Sequence, residues 1–186
     1  EHQRCLEIIG SNVKSITYSK DLPLELCAQH CRNLTSLTLD GVRIDESLLV
    51  VLLCNPGLQE LRILPCLESD PADLSGVRCP NLRLVSISRN PWSNRLVSVD
   101  AFALSVVSMS ENIQYLDLQG SRIADDCLLR IAAHCPRLRA LGLAYVPISI
   151  EVVLEVCSMC PDIAYLDVRS NGMNFTGVAD FLPPLR

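Results

Sequence analysis

Four groupings in this chain carry residue types that could do chemistry. Cys157-Ser-Met-Cys160 has the C-x-x-C spacing of a zinc ligand pair or of a dithiol redox centre. A structural zinc site also needs a second pair, or two histidines at matching spacing, and Cys27 with Cys31 is the pair on offer. That pair lies far upstream, and the C-x-x-C lacks a thioredoxin-like context. His134 beside Cys135 sets an imidazole next to a thiol, yet adjacent residues on a helix point to different sides and do not form an attack pair. Asp125 and Asp126 could serve as acid and base, but two carboxylates at the start of a helical run suit the positive end of the helix dipole better. The three histidines, His2, His30 and His134, share no motif, and the eight glycines are scattered rather than gathered into a phosphate loop. These residues predict no catalytic centre, no metal and no cofactor.

The elements that hold them explain why. The chain is 49% apolar and only 4% aromatic, so Leu, Val and Ile must build the core, in many small layers rather than one thick one. A unit L-x-x-L-x-L, with Ile or Val allowed at the apolar positions, recurs along the whole length. It stands at Leu34, Leu37, Leu39; Leu58, Leu61, Ile63; and Leu82, Val85, Ile87. It returns at Ile113, Leu116, Leu118; Leu138, Leu141, Leu143; and Ile163, Leu166, Val168, with a weaker copy at Val13, Ile16, Tyr18. The starts fall at 13, 34, 58, 82, 113, 138 and 163, which gives about seven repeats over residues 1–186, read as a single domain.

The L-x-L part alternates with period two, so it predicts a short strand with one buried face. Apolar residues at helical spacing follow it: Ile44, Leu48, Leu49, Leu52, then Ile123, Cys127, Leu128, Ile131, Ala132, then Ile148, Val152, Val153, Val156. One strand and one short helix cannot bury themselves alone. Stacked, they form an α/β solenoid, a horseshoe with a parallel sheet on its concave side and helices on its convex side. Asp45, Glu46, Asp125, Asp126 and Glu151 sit where helices start, and Pro136 and Pro161 where helices stop. Two units are irregular. Pro65–Pro71 predicts a loop with one short turn, and Arg89–Arg95, containing Trp92, predicts a bulge at the strand-to-helix rim.

The same register places the cysteines. Cys31, Cys79, Cys135 and Cys160 each stand three residues before a unit start, and Cys54 stands four before one. The string Cys-Pro-x-Leu/Ile recurs at Cys79, Cys135 and Cys160, a position where a buried thiol acts as a small apolar filler. This pattern resembles the cysteine-containing class of leucine-rich repeats, most closely over Arg122-Ile-Ala-Asp-Asp-Cys-Leu-Leu-Arg-Ile-Ala-Ala-His-Cys-Pro-Arg-Leu-Arg-Ala-Leu-Gly-Leu143. The class forms ribonuclease-inhibitor-like solenoids and is best known from F-box proteins, whose repeats select substrates for SCF ubiquitin ligases. Two departures stand out. The post-strand position that often carries Asn or Cys in the class holds Asn only at Asn90 and Asn171, with Val42, Ser121 and Val146 in three other units. No F-box precedes the repeats; Asp21-Leu-Pro-Leu-Glu-Leu26 echoes an F-box opening but fills the helix slot of the first unit.

Charge and ends bound the partners. A net charge of −5 argues against a general nucleic-acid binder and against a surface for anionic membranes. The longest apolar run, Leu48 to Cys54, is far short of the ~20 residues that span a bilayer. The cysteine positions and the lack of a secretory signal predict a reducing compartment, cytoplasm or nucleus. The chain opens Glu-His-Gln-Arg and ends with apolar Phe181, Leu182 and Leu185, so it reads as part of a longer protein.

What remains is a surface. Residues between the buried strand positions face the concave side: Ser15, Thr17, Ser19; Ser36, Thr38, Asp40; Glu60, Arg62; Leu84, Ser86, Ser88; Tyr115, Asp117, Gln119; Ala140, Gly142, Ala144; Tyr165, Asp167, Arg169. Tyr115 and Tyr165 hold the same unit position, as do Asp117 and Asp167, and Ala140, Gly142 and Ala144 make a shallow floor between them with Tyr145 just beyond. Two Tyr–Asp columns beside a trough predict a site for a peptide with a basic residue, contacted by Tyr115, Asp117, Tyr145, Tyr165, Asp167, Arg169, Trp92 and Arg62. The chain is therefore expected to be a protein-binding module and not an enzyme. The resemblance implies the substrate-binding part of an SCF-type receptor, with a Skp-type adaptor engaged through a segment outside these residues. The alternative is a structural scaffold subunit of an assembly unrelated to ubiquitin, for which the apolar end at Phe181–Leu185 would offer a docking face.

Overall fold

The computed structural model describes residues 10–19, 24–42, 46–64, 74, 76–88 and 99–171. A short 3-10 turn, Gly10–Asn12, precedes strand β1 (Ser15–Ser19). There follow α1 (Leu24–His30), β2 (Ser36–Asp40), α2 (Glu46–Cys54), β3 (Glu60–Ile63), β4 (Leu84–Ile87) and α3 (Asp100–Val107). The chain continues through β5 (Tyr115–Asp117), α4 (Asp125–His134), β6 (Ala140–Gly142), α5 (Ile150–Met159) and β7 (Tyr165–Asp167). The seven strands form one parallel sheet in chain order, β1 to β7. This is an α/β leucine-rich-repeat solenoid. No helix of the described residues is long and apolar enough to cross a membrane.

The register is set by the apolar alternation. Ile16, Leu37, Leu61, Val85, Leu116, Leu141 and Leu166 form one continuous row across the sheet. A slip of one residue in any strand would turn its apolar set to solvent, so the row fixes the pairing. The inner five of these residues are buried, and Ile16 and Leu166, in the first and last strands, are half-buried. Each fully buried Leu or Val contributes about 1.5–3 kcal/mol. The helices pack against the other side of this row through residues at i, i+1, i+4 and i+5. In α4 these are Cys127, Leu128, Ile131 and Ala132, and in α5 Val152, Val153, Val156 and Cys157. Helix α3 repeats the pattern with Phe102, Ala103, Val106 and Val107, a periodicity that the long preceding insertion hides in the sequence. Trp92 and the rest of Arg89–Arg95, Pro65–Pro71, Ile44, Asp45, Phe181, Leu182 and Leu185 lie outside the described residues.

A polar stitch joins successive units at the position three residues before each start. Cys31, Cys79, Cys135 and Cys160 are fully buried there. Cys160 Sγ lies 3.4 Å from the carbonyl of Cys135, one unit back. In the third unit the slot belongs to Asn55 rather than to Cys54, which is only half-buried. Asn55 is placed by three bonds: its amide donates to the carbonyls of Cys31 (2.9 Å) and Val51 (2.8 Å), and its Oδ1 accepts from the Leu34 N–H (2.8 Å). Ser110 fills the slot in the fifth unit and donates to the Leu82 carbonyl at 2.9 Å. At the first unit the slot is Gly10, where a Cβ would stand 2.7 Å from that of His30. The post-strand turn is less regular: Asn171 Oδ1 accepts from the Val146 N–H at 3.2 Å, whereas Ser121 turns inward to the Leu118 carbonyl at 2.6 Å.

Candidate functional site

The concave face is organised as rows that run across the strands. Ser36, Glu60, Leu84, Tyr115, Ala140 and Tyr165 share one row, and Thr38, Arg62, Ser86, Asp117, Gly142 and Asp167 share the next. Over β4 to β7 these rows line a groove of about 360 Å³, with Arg62 at one end and Arg169 at the other. Tyr115 and Tyr165 are 46% and 59% exposed and flank Ala140. Being two strands apart, their backbones are about 9–10 Å from each other. That gap admits one side chain between the rings.

Asp117 lies at the centre of the groove. Its Oδ2 accepts from Ser86 Oγ and its Oδ1 from the Gln119 N–H, both at 3.1 Å. Gly142 makes room for it: a Cβ there would sit 2.6 Å from Asp117 Oδ1. A carboxylate offers about four lone-pair sites, so two internal bonds leave acceptor capacity for a ligand.

Asp167, at the matching position, is in a different state. Arg169 donates to it from Nε (2.9 Å) and from its terminal nitrogen (2.7 Å), a bidentate pair reinforced by the Arg169 N–H at 3.2 Å. These bonds hold the Asp167 carboxyl below the usual carboxylate range. The carboxylate side chain is 12% exposed and the guanidinium side chain 76%. The two Tyr–Asp columns, which share unit positions, therefore differ in charge state toward a ligand. Residues two apart on a strand face the same way, and Arg169 takes the charge of Asp167 while Asp117 has no such neighbour. At the far end Arg62 reaches Glu60 at 3.5 Å, and Glu60 in turn accepts from Ser36 Oγ.

Tyr145 stands on the rim. It is 40% exposed, does not line the groove, and donates its N–H to the Arg169 carbonyl at 2.9 Å. Its φ is +60°, the left-handed region that a residue with a Cβ rarely adopts. Two residues expected on the open face are buried instead. Ser86 is covered by Asp117, to which it donates. Ala144 lies beyond the end of β6, where strand alternation no longer applies, and its carbonyl accepts from the Gly120 N–H at 2.8 Å. Gly142 and Ser86 were readable as facing residues, but their service to Asp117 was not, because it depends on which atoms meet across strands.

The other chemical groupings disperse. Cys157 and Cys160 are buried free thiols, and burial pushes Cys160 up to about 11. Cys135 is buried and pushed up to about 12, while His134 is exposed, with Nδ1 2.8 Å from the Arg130 carbonyl. Among the described residues no group of three or more His, Cys, Asp or Glu could hold a metal ion.

No family model matches the chain. In sequence it is similar to the F-box protein SKIP1 of Arabidopsis thaliana, 27% identical over 160 residues, which span 82% of this chain and 48% of that protein. In structure it is similar to an internalin (inlF) of Listeria monocytogenes, with a TM-score of 0.63 at 13% identity, over 100% of this chain and 49% of that one. The chain thus spans about half the length of each of these two proteins.

Proposed function

We propose that this chain is a protein-recognition module, one array of seven units, whose groove holds an extended partner segment with an arginine or lysine seated between Tyr115 and Tyr165. One observation carries the reading: two half-exposed tyrosines flank a floor of Ala140 and Gly142, and the Asp117 carboxylate beside that floor keeps acceptor capacity. A guanidinium or ammonium entering there gains two aromatic faces and a charge-assisted hydrogen bond. Arg62 and the Asp167–Arg169 pair bound the groove and disfavour a second cation beside the first. Tyr145 extends the contact at the rim. The module supplies recognition, and any catalysis belongs to another part of the assembly.

An array of ten-residue peptides randomised around a central position tests this. Arginine and lysine should be enriched at the centre, and Y115A/Y165A or D117N should weaken the selected peptides by roughly tenfold or more, the scale of an interface anchor. G142A, which displaces the carboxylate without removing it, should weaken them too. Selection without a basic preference, or affinity indifferent to D117N, would overturn the reading.

The likeness to an F-box protein supports a finer assignment. In it the repeats are of the cysteine-containing class and form the substrate-binding part of an SCF-type ubiquitin ligase receptor. Such a receptor works in cytoplasm or nucleus and engages a Skp-type adaptor through a segment outside these residues. The Cys-Pro-x-Leu/Ile strings and their buried free thiols support it. Recovery of a Skp-type adaptor with the full-length protein is the expected result, and its absence from such pulldowns counts against the assignment.

A further inference from the structure

The charge of this chain is divided between its two edges. The net charge is −5, and the first turns of α2 to α5 carry Glu46, Asp100, Asp125, Asp126 and Glu151, all on the edge where strands pass into helices. The opposite edge, where helices pass into strands, carries two exposed acids, Glu111 and Asp162, and a surplus of cations. The residue immediately before each strand forms one row, tied by backbone bonds from Thr35 to Lys14, Gln114 to Arg83 and Arg139 to Gln114. That row is Lys14, Thr35, Gln59, Arg83, Gln114, Arg139 and Ala164: three cations and no acid. Lys14, Arg83 and Arg139 are exposed, and among the described residues none of them has a carboxylate in ion-pair contact. Arg137 adds a fourth cation next to Arg139, held in place by a 2.7 Å bond to Asn112 Oδ1.

We infer that this edge is a second interaction surface, separate from the groove, which takes an acidic segment of a partner protein. Arg83 and Arg139 are two strands apart, hence about 9–10 Å. A polyproline-II chain has three residues per turn and rises about 3.1 Å per residue, so carboxylates three residues apart lie on one face at about 9 Å and match that spacing. Arginine suits the task because its planar fork meets a carboxylate bidentately. The chemistry favours an acidic peptide over a nucleic acid, because the surplus of negative charge elsewhere on the molecule repels a densely charged polyanion.

Fluorescence anisotropy with a labelled peptide of repeating Glu-Ser-Ser is the test. The intact chain should bind it, added salt should weaken binding, and R83Q/R139Q should lose roughly tenfold or more in affinity, the loss that removal of interface charges brings. R122Q/R130Q, which removes two exposed arginines elsewhere, and D117N, in the groove, should leave it in place. Binding unchanged in R83Q/R139Q, an equal loss in R122Q/R130Q or in D117N, or tighter binding of a single-stranded oligonucleotide than of the peptide would each overturn the inference. Because D117N is the groove variant, failure here and failure of the groove reading are told apart.

Discussion

Among the described residues, four that follow strands take up left-handed backbone: Gly41, Gly120, Tyr145 and Ser170, with φ of 63°, 67°, 60° and 57°. Glycine adopts this at no steric cost, whereas a side chain with a Cβ is strained by about 1–2 kcal/mol. Tyr145 bears that strain on the rim of the groove, exposed and beside Arg169, where two sister units use glycine and the last uses Ser170. Y145G is expected to raise stability by about 1 kcal/mol, read as a higher urea midpoint at unchanged slope. It should also weaken the peptides selected by the groove. A variant that is no more stable would remove the argument from strain. Gly41 and Gly120 announce their turns in the sequence, but a tyrosine gives no sign that its φ is positive. The Asp167–Arg169 pair is a comparable case. Its members are two apart on a strand and so face the same way, yet nothing in their spacing says that they join to each other rather than to a ligand.

Asn55 shows what binds one element to the next. It sits at the end of α2 and reaches the end of α1 through the Cys31 carbonyl and the approach to β2 through the Leu34 N–H. N55A leaves those two buried groups unpaired, at about 1–3 kcal/mol each, so a loss of roughly 2–6 kcal/mol in urea unfolding is expected. A loss below about 1 kcal/mol would mean that water or a neighbour takes over. The strands were legible because Leu, Ile and Val recur at i, i+3 and i+5 and a strand has only two faces. Asn55 and Ser110 were not, since a polar residue in an apolar slot breaks the very pattern used to find the slot. Helix α3 is hidden in the sequence for a different reason: its four buried residues are regular, but the insertion before it shifts them out of the spacing of the other units. Within the groove, facing residues could be read from alternation, while the inequality of Asp117 and Asp167 needed cross-strand atoms.

Across the whole molecule the buried thiols form a distributed alkaline fuse. Burial pushes Cys27, Cys127 and Cys135 up to about 12 and Cys79 and Cys160 up to about 11, from an ordinary 9.0. The fold keeps these thiols neutral, while the unfolded chain releases its protons near the ordinary value. Their contribution is therefore fully present below pH 9 and is lost as pH climbs from there toward the folded values. Urea midpoints should stay flat up to about pH 8 and fall steeply above pH 9, and iodoacetamide at about pH 8 should leave these five thiols unmodified until the chain unfolds. Stability that holds through pH 11 would contradict this.

Each helix and each strand of the described residues packs chiefly against its sequence neighbours: α1 on α2, α3 on α4, α4 on α5, and every strand on the next. Mechanically, such a body is a set of links in series. A pull applied to the two ends of the stack loads every junction with the same force, and no link is shielded by another. The terminal strands peel away sideways, opening one ladder at a time, and each freed unit of roughly 25 residues pays out about 80 Å of slack at 3.3 Å per residue. Under tension this solenoid lengthens by steps.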